Sequence, residues 1–275
     1  MVDNFITIVL SIGASLMMVV PKLIVLGACF AVLTHFWSCN PGPPWWRNRE
    51  LLTDLGYWFV MPLIALYLRI GFLIAGGVLL FGIRTPEGLI ALYENGHGPF
   101  AHSPLWLQIV IYLVGWDLMM YGIHRAFHGP ALWNFHAIHH SSKELDWISA
   151  SRIHPVNLMF GSVAADVVLL LAGIPLNVLV LLAPINIAHA AFVHANLNWT
   201  LGPFRYVIAG PVFHRWHHTA ADEGGEKNFA PTFPIIDVIF GTFHMPKQML
   251  PASYGVADRA FPSGFWAQMI YPLKR

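Results

Sequence analysis

The sequence predicts an all-α fold, a multi-spanning membrane helical bundle with a histidine-rich cap on its cytoplasmic side. Three observations carry that expectation. Hydrophobic residues make up 56% of the chain and charged residues 11%, against about 25% charged in an ordinary soluble domain. The apolar residues come in blocks, the longest matching the roughly 20 residues a helix needs to cross the hydrocarbon core. Eight of the fifteen histidines fall in one HxxxH and two HxxHH motifs.

The first apolar block runs from Phe5 to Trp37, interrupted by Pro21 and Lys22. It is either one long kinked helix or the two halves of a re-entrant hairpin. It lacks the basic start and small-residue cleavage site of a secretory signal, so it is expected to be retained in the membrane. A Pro/Trp/Arg-rich link from Pro41 to Glu50 suits a headgroup interface. The second block, Leu55 to Ile83, carries Arg69 near its centre; splitting it there leaves halves too short to cross, so one long tilted crossing is expected. A Gly/Pro-rich connection, Arg84 to Ser103, precedes a third block, Leu105 to Ile123, which leads straight into the HxxxH motif. Blocks four and five, Val156 to Ala172 and Leu176 to Phe192, are separated only by Gly173, Ile174 and Pro175 and predict a tight helical hairpin. The stretch from Asn196 to Arg275 is aromatic, Pro-rich and more polar, and is expected to lie on the membrane as a cap.

Net charge is +1, and no run of Lys or Arg forms the stripe that nucleic acid needs, which excludes that class of partner. Cys29 and Cys39 lack CxxC spacing and suggest neither a disulfide framework nor a cysteine metal site. Ten of the fifteen Lys and Arg lie in the two stretches that carry the histidine motifs, which by the positive-inside tendency puts that side in the cytoplasm.

The clusters are His124-Arg-Ala-Phe-His128, His136-Ala-Ile-His139-His140 and His214-Arg-Trp-His217-His218. Residues three and four apart project from one helix face, so each cluster can aim several imidazoles at one point and hold a metal from a single turn. Two metals with about four ligands apiece would use all eight, and neutral imidazole suits Fe, Cu, Ni and Zn. Asp117 lies two turns before His124 on the same face of an apolar helix, where it would orient a histidine ligand. Asp166, deeper in its own block, would bond within the bundle or line a polar cavity. Lone histidines such as His35, His97 and His102 are expected to be interfacial or solvated.

In this order and on membrane helices, the three clusters resemble the fatty acid hydroxylase and sterol desaturase superfamily of membrane-bound di-iron oxygenases. The resemblance runs from about Leu105 to about Pro246. It includes the run from Asp117 to His128, Arg152 to Pro155, His194-Ala-Asn196, Asn228-Phe229, Asp237 and Phe240-Gly241-Thr242. Where the family usually has Asn-Tyr-Gly and Trp-Asp, this chain has Asn-Phe-Ala and Ile236-Asp237.

The resemblance implies that His124, His128, His136, His139, His140, His214, His217 and His218 bind two iron ions, with His194 as a ninth ligand. His154 would either cap a helix or ligate; His189 would be structural; Arg152 and Asp237 would organise the cap around the ligands. The implied organisation is N-terminal membrane helices over 1–104, a catalytic domain over 105–246 and a cytoplasmic C-terminal tail over 247–275. The implied chemistry is activation of dioxygen by Fe2+ to oxidise a C–H bond of a fatty acyl, sterol or related lipid, by hydroxylation in first place and desaturation in second. Trp133, Phe135, Trp147, Phe213 and Trp216 are candidates for lining the path of the lipid chain. No GxGxxG fingerprint, cysteine cluster or haem domain is visible, so electrons would come from a separate reductase with a ferredoxin or cytochrome b5-type donor. Two other classes compete: a zinc-dependent membrane hydrolase, which needs neither oxygen nor reductant, and a metal transporter, whose sites lie at broken helices near the midplane.

Overall fold

A computed structural model of the chain describes residues 17–258 and 260–274, and among these every regular element is helical. The part of the first apolar block before residue 17 lies outside the described residues.

Four helices are long and apolar enough to cross a membrane: α1 (Val19–Trp37), α2 (Leu51–Phe81), α4 (Leu105–Phe127) and α7 (Leu176–His194). Their apolar windows are mostly unburied, between 6% and 28% inside the protein. Large side chains such as Ile24, Leu79, Val114 and Ile185 point outward. Helices satisfy their own backbone polar groups, which is the condition for a chain to lie in hydrocarbon. The second block is one 31-residue helix with Pro62 inside it. At 1.5 Å per residue it spans about 46 Å, more than the roughly 30 Å of hydrocarbon, as a tilted crossing requires. Arg69, midway along α2, donates to Asp166 through Nε and Nη2, and Asp166 also accepts from the Tyr112 hydroxyl. Of the two roles open to Asp166, the structure shows bonding within the bundle.

A short helix α3 (Pro86–Asn95) starts at Thr85, whose Oγ1 accepts from Gly88 N, with Pro86 preset at the first helical position. Block four forms α6 (Pro155–Leu171), which at this length is shorter than the four long helices. It is interrupted by a widened turn at Met159–Val163, where Gly161 leaves helical geometry. The expected hairpin follows: α6 ends at Leu171, Gly173 turns the chain at φ 106°, and α7 begins at Leu176. Only glycine fits there, because a Cβ would sit 2.1 Å from the His97 carbonyl oxygen; in return, His97 N donates to Gly173 O.

The remaining short helices, α5 (Trp133–His140), α8 (Pro211–His217), α9 (Ile235–Ile239) and α10 (Phe265–Ile270), form a cap over one end of the bundle. Fully buried Trp147 ties cap to bundle, packing on Phe30 of α1, Trp45 of the first link and Trp58 of α2. Trp58 Nε1 donates to Ile148 O. The C-terminal segment packs back on α2: Phe265 stacks edge-on to Tyr57, whose hydroxyl donates to Gln268.

Candidate metal centre

Every histidine of the centre sits at a helix end or on a cap helix. His124 and His128 close α4, His194 is the last residue of α7, and α5 and α8 supply the rest. The nine side chains form two groups whose potential ligand atoms lie within 4.8 Å of one another. One group is His124, His128, His136, His140 and His217; the other is His139, His194, His214 and His218. The groups adjoin, with the rings of His140 and His218 stacked at 4.5 Å between centroids.

Each cluster was expected to be able to aim its imidazoles at one point; the structure instead divides both HxxHH clusters between the two groups. On a helix, residues i and i+4 differ by about 40° in direction, while i+3 and i+4 differ by about 100°. In α5, His136 and His140 therefore face the five-membered group and His139 turns to the other. In α8 the assignment is reversed, with His214 and His218 facing the four-membered group and His217 the five-membered one. Each HxxHH motif serves both groups.

Five of the rings are fixed through Nδ1, which faces an oxygen: Phe229 O for His124 at 2.8 Å, Asn157 Oδ1 for His136 at 2.8 Å, Arg152 O for His139 at 3.1 Å, Ala190 O for His194 at 2.7 Å and Lys227 O for His217 at 2.7 Å. With Nδ1–H donating, Nε2 carries the free lone pair, and the Nε2 atoms converge at 3.0–3.3 Å for the pairs His124–His136, His136–His140, His139–His194, His194–His214 and His214–His218. Imidazoles do not gather lone pair to lone pair on their own. His128 Nε2 and His217 Nε2 are moreover buried without a hydrogen-bond partner. Nitrogen lone pairs aimed at a common point, oriented from behind by carbonyl and amide oxygens, fit a first-row transition metal in each group. Burial, reinforced by neighbouring rings, drives His128, His136, His139, His140, His214, His217 and His218 well below the ordinary imidazole range. They are held neutral, the form that binds metal.

Asp117 does not orient a histidine. Its two oxygens accept from Thr232 N at 2.7 Å and Phe233 N at 2.8 Å, which answers the cost of a buried carboxylate on an apolar helix by anchoring a loop. Asp237 accepts from Phe229 N, Ala230 N and Thr242 Oγ1. It acts one residue away from the centre, since the Phe229 carbonyl is the oxygen that faces His124. Arg152 is buried against Asp54 and Glu50 and offers its own carbonyl to His139. His154 is a helix cap: Nδ1 accepts from Val156 N and Nε2 donates to Met269 O. His189 bonds Ala209 O and joins neither group.

Sequence reasoning missed Asn157 and Arg215. Asn157 is a lone polar residue in the first turn of α6, with no motif to mark it. Arg215 lies inside the third motif between ligand positions; it is buried and donates to the carbonyls of Leu145, His194 and Ala195 and to Asn40 Oδ1, stapling α8 to the end of α7.

A cavity of about 160 Å³ ends on His124, His136, His139, His194 and His214. Its apolar wall is Trp116, Met120 and Ile123 of α4 with Ile153 and Val193. None of the five aromatics expected to line the path does so. Trp133 packs on His128 and His140, Phe135 on His154, Phe213 on Phe243, and Trp216 on His244, while Trp147 belongs to the core.

The fatty acid hydroxylase family model matches residues 109–242. Ornithine lipid hydroxylase OlsE of Rhizobium tropici is 31% identical over 253 residues, 89% of this chain and 73% of that protein. Alkylglycerol monooxygenases of Danio rerio and Homo sapiens are 32% and 29% identical over 56% and 49% of this chain, which spans about a third of their length. No solved structure matches. The match to the family model falls on the segment that holds all nine histidines, and the chain belongs to the fatty acid hydroxylase family.

Proposed function

We propose that the protein is a membrane-embedded di-iron oxygenase that hydroxylates a C–H bond of a lipid. The observation that carries the reading is the convergence of nine imidazoles, in two adjoining groups, at the end of an apolar cavity. The similarity to a lipid hydroxylase and to alkylglycerol monooxygenases favours hydroxylation over desaturation.

His124, His128, His136, His140 and His217 would hold one iron, and His139, His194, His214 and His218 the other. When bound, the pair supplies the four-electron reduction of dioxygen: lipid C–H, O2, two electrons and two protons give the alcohol and water. The chain's own residues do the positioning. The oxygens behind the five Nδ1 atoms fix ring orientation. Asp237 and Asp117 hold the loop whose Phe229 carbonyl faces His124. Trp116, Met120, Ile123, Ile153 and Val193 accept an alkyl segment and keep water from the reacting carbon. The four long helices would cross the bilayer, and the basic residues around the cap favour a centre on the cytoplasmic face, within reach of a separate ferredoxin or cytochrome b5-type donor.

The test is lipid mass spectrometry of cells with and without the protein, grown under labelled dioxygen, beside a His139→Ala variant. A lipid that gains one labelled oxygen only with the unaltered protein is the expected result. The proposal fails if no lipid gains label, or if the variant matches the unaltered protein. Unsaturation without label would make the enzyme a desaturase, and turnover without oxygen a hydrolase.

A further inference from the structure

A second cavity, larger at about 480 Å³, opens on the cap. Thr200 and Arg205, just beyond α7, form one wall, Val212 of α8 the back, and residues 245–250 the other side. It shares no lining residue with the cavity that ends on the histidines. Its two charged residues, Arg205 and Lys247, are both cations, and no carboxylate lines it.

The Arg205 guanidinium is fixed in place, lying 5.0 Å over the Tyr206 ring with Nη2 donating to the Tyr206 hydroxyl. Its Nε is nevertheless buried without an acceptor. The guanidinium fork matches phosphate or carboxylate oxygens. Gln248, in the wall, holds a left-handed backbone at φ 60°, and Leu201, beside Thr200, does the same at φ 58°. Non-glycine residues keep that conformation only where their surroundings enforce it, and such positions gather at ligand clamps.

The rim distinguishes this pocket from a site for a free aqueous anion. Phe204 and Val207 flank Arg205 and are 67% and 58% exposed; Met249 and Leu250 beside Lys247 are 58% and 42% exposed. Apolar side chains around a cationic pocket, where a long apolar helix has just ended, describe the boundary between headgroups and acyl chains. We propose that this pocket binds the anionic headgroup, phosphate or carboxylate, of a bilayer lipid whose chains lie on Phe204, Val207 and Leu250, at a site separate from the substrate cavity. The bound lipid fixes the cap, and with it α8, against the membrane.

The proposal rests on the membrane-embedded reading but not on oxidation chemistry, because lipid retention is measured without turnover; a failed labelling experiment leaves it standing, and the reverse holds too. The full chain in detergent is titrated with dioleoyl phosphatidylglycerol or dioleoyl phosphatidylcholine and examined by native mass spectrometry. Phosphatidylglycerol is retained in preference to phosphatidylcholine, and excess inorganic phosphate does not displace it. An Arg205→Gln/Lys247→Gln variant binds phosphatidylglycerol about thirtyfold more weakly, on the scale of two interfacial cations, while Arg84→Gln on the exposed connection before α3 behaves as the unaltered protein. Should the double variant not stay monodisperse, exposed Lys247→Glu carries the comparison alone. Equal retention of the two lipids, undiminished binding by the variants, or displacement by phosphate overturns the proposal.

Discussion

Replacing Asn157 by Leu removes the oxygen behind His136 and little else. Asn157 Oδ1 lies 2.8 Å from His136 Nδ1, and both residues are buried. The substitution forfeits one hydrogen bond, about 1 kcal/mol, and leaves an N–H buried without an acceptor, a further 1–3 kcal/mol or so. At tenfold per 1.4 kcal/mol that total bounds the effect at roughly 30–700-fold; part of it falls on folding, and the expected loss of metal affinity at the five-histidine group is about 10–100-fold, the range such outer partners usually command. Asn157→Asp keeps an acceptor at the same distance and should restore most of the loss. The assay is iron retained per chain against a graded chelator, read beside product yield and the thermal midpoint, so that loss of fold is seen separately from loss of metal. Equal iron retention in Asn157→Leu and the unaltered protein, or an Asp variant as poor as the Leu variant, would refute the assignment of Asn157 as the residue that positions His136.

Two stability predictions follow from buried charge. Arg69→Met leaves Asp166 without its cation and should cost about 3 kcal/mol, the lower end for a buried pair because Arg69 is 24% exposed; Arg69→Met/Asp166→Leu should recover most of it, and a double variant as unstable as the single one in thermal melts would argue against the pairing. Asp146, in the cap, is pushed up to about 6 by burial from its ordinary 3.8. The folded chain keeps this proton where the unfolded chain has released it, so stability falls as pH rises from about 4 to about 6 and is level above, by up to about 3 kcal/mol. Asp146→Asn should flatten that slope in melts across the same range, and an unchanged slope would count against it.

The histidines were legible because imidazoles three and four apart on a helix have few other reasons to recur. Their division between two groups was not, because it depends on how α5 and α8 face each other, which spacing along one helix does not encode. Asp117 illustrates the same limit: its helix and face follow from periodicity, but its partners are backbone N–H groups of a loop more than a hundred residues away. Four of the five oxygens behind the rings are main-chain carbonyls, which any residue supplies, so sequence carries no mark of them. Arg69 argued for one long crossing because a split block would be too short; its partner Asp166 was visible only as a second costly charge. The aromatics were misplaced because Trp and Phe serve equally in core, interface and cavity.

The interleaving of the two HxxHH motifs couples the two groups structurally. Neither half can be built, lost or inherited alone, since α5 and α8 each lend rings to both. A metal held by either group would stiffen the crossing of these two helices, and with it the other group. If each group holds an ion as proposed, the doubly filled chain would be favoured over the singly filled one. Under the di-iron reading, that coupling would keep half-competent molecules rare.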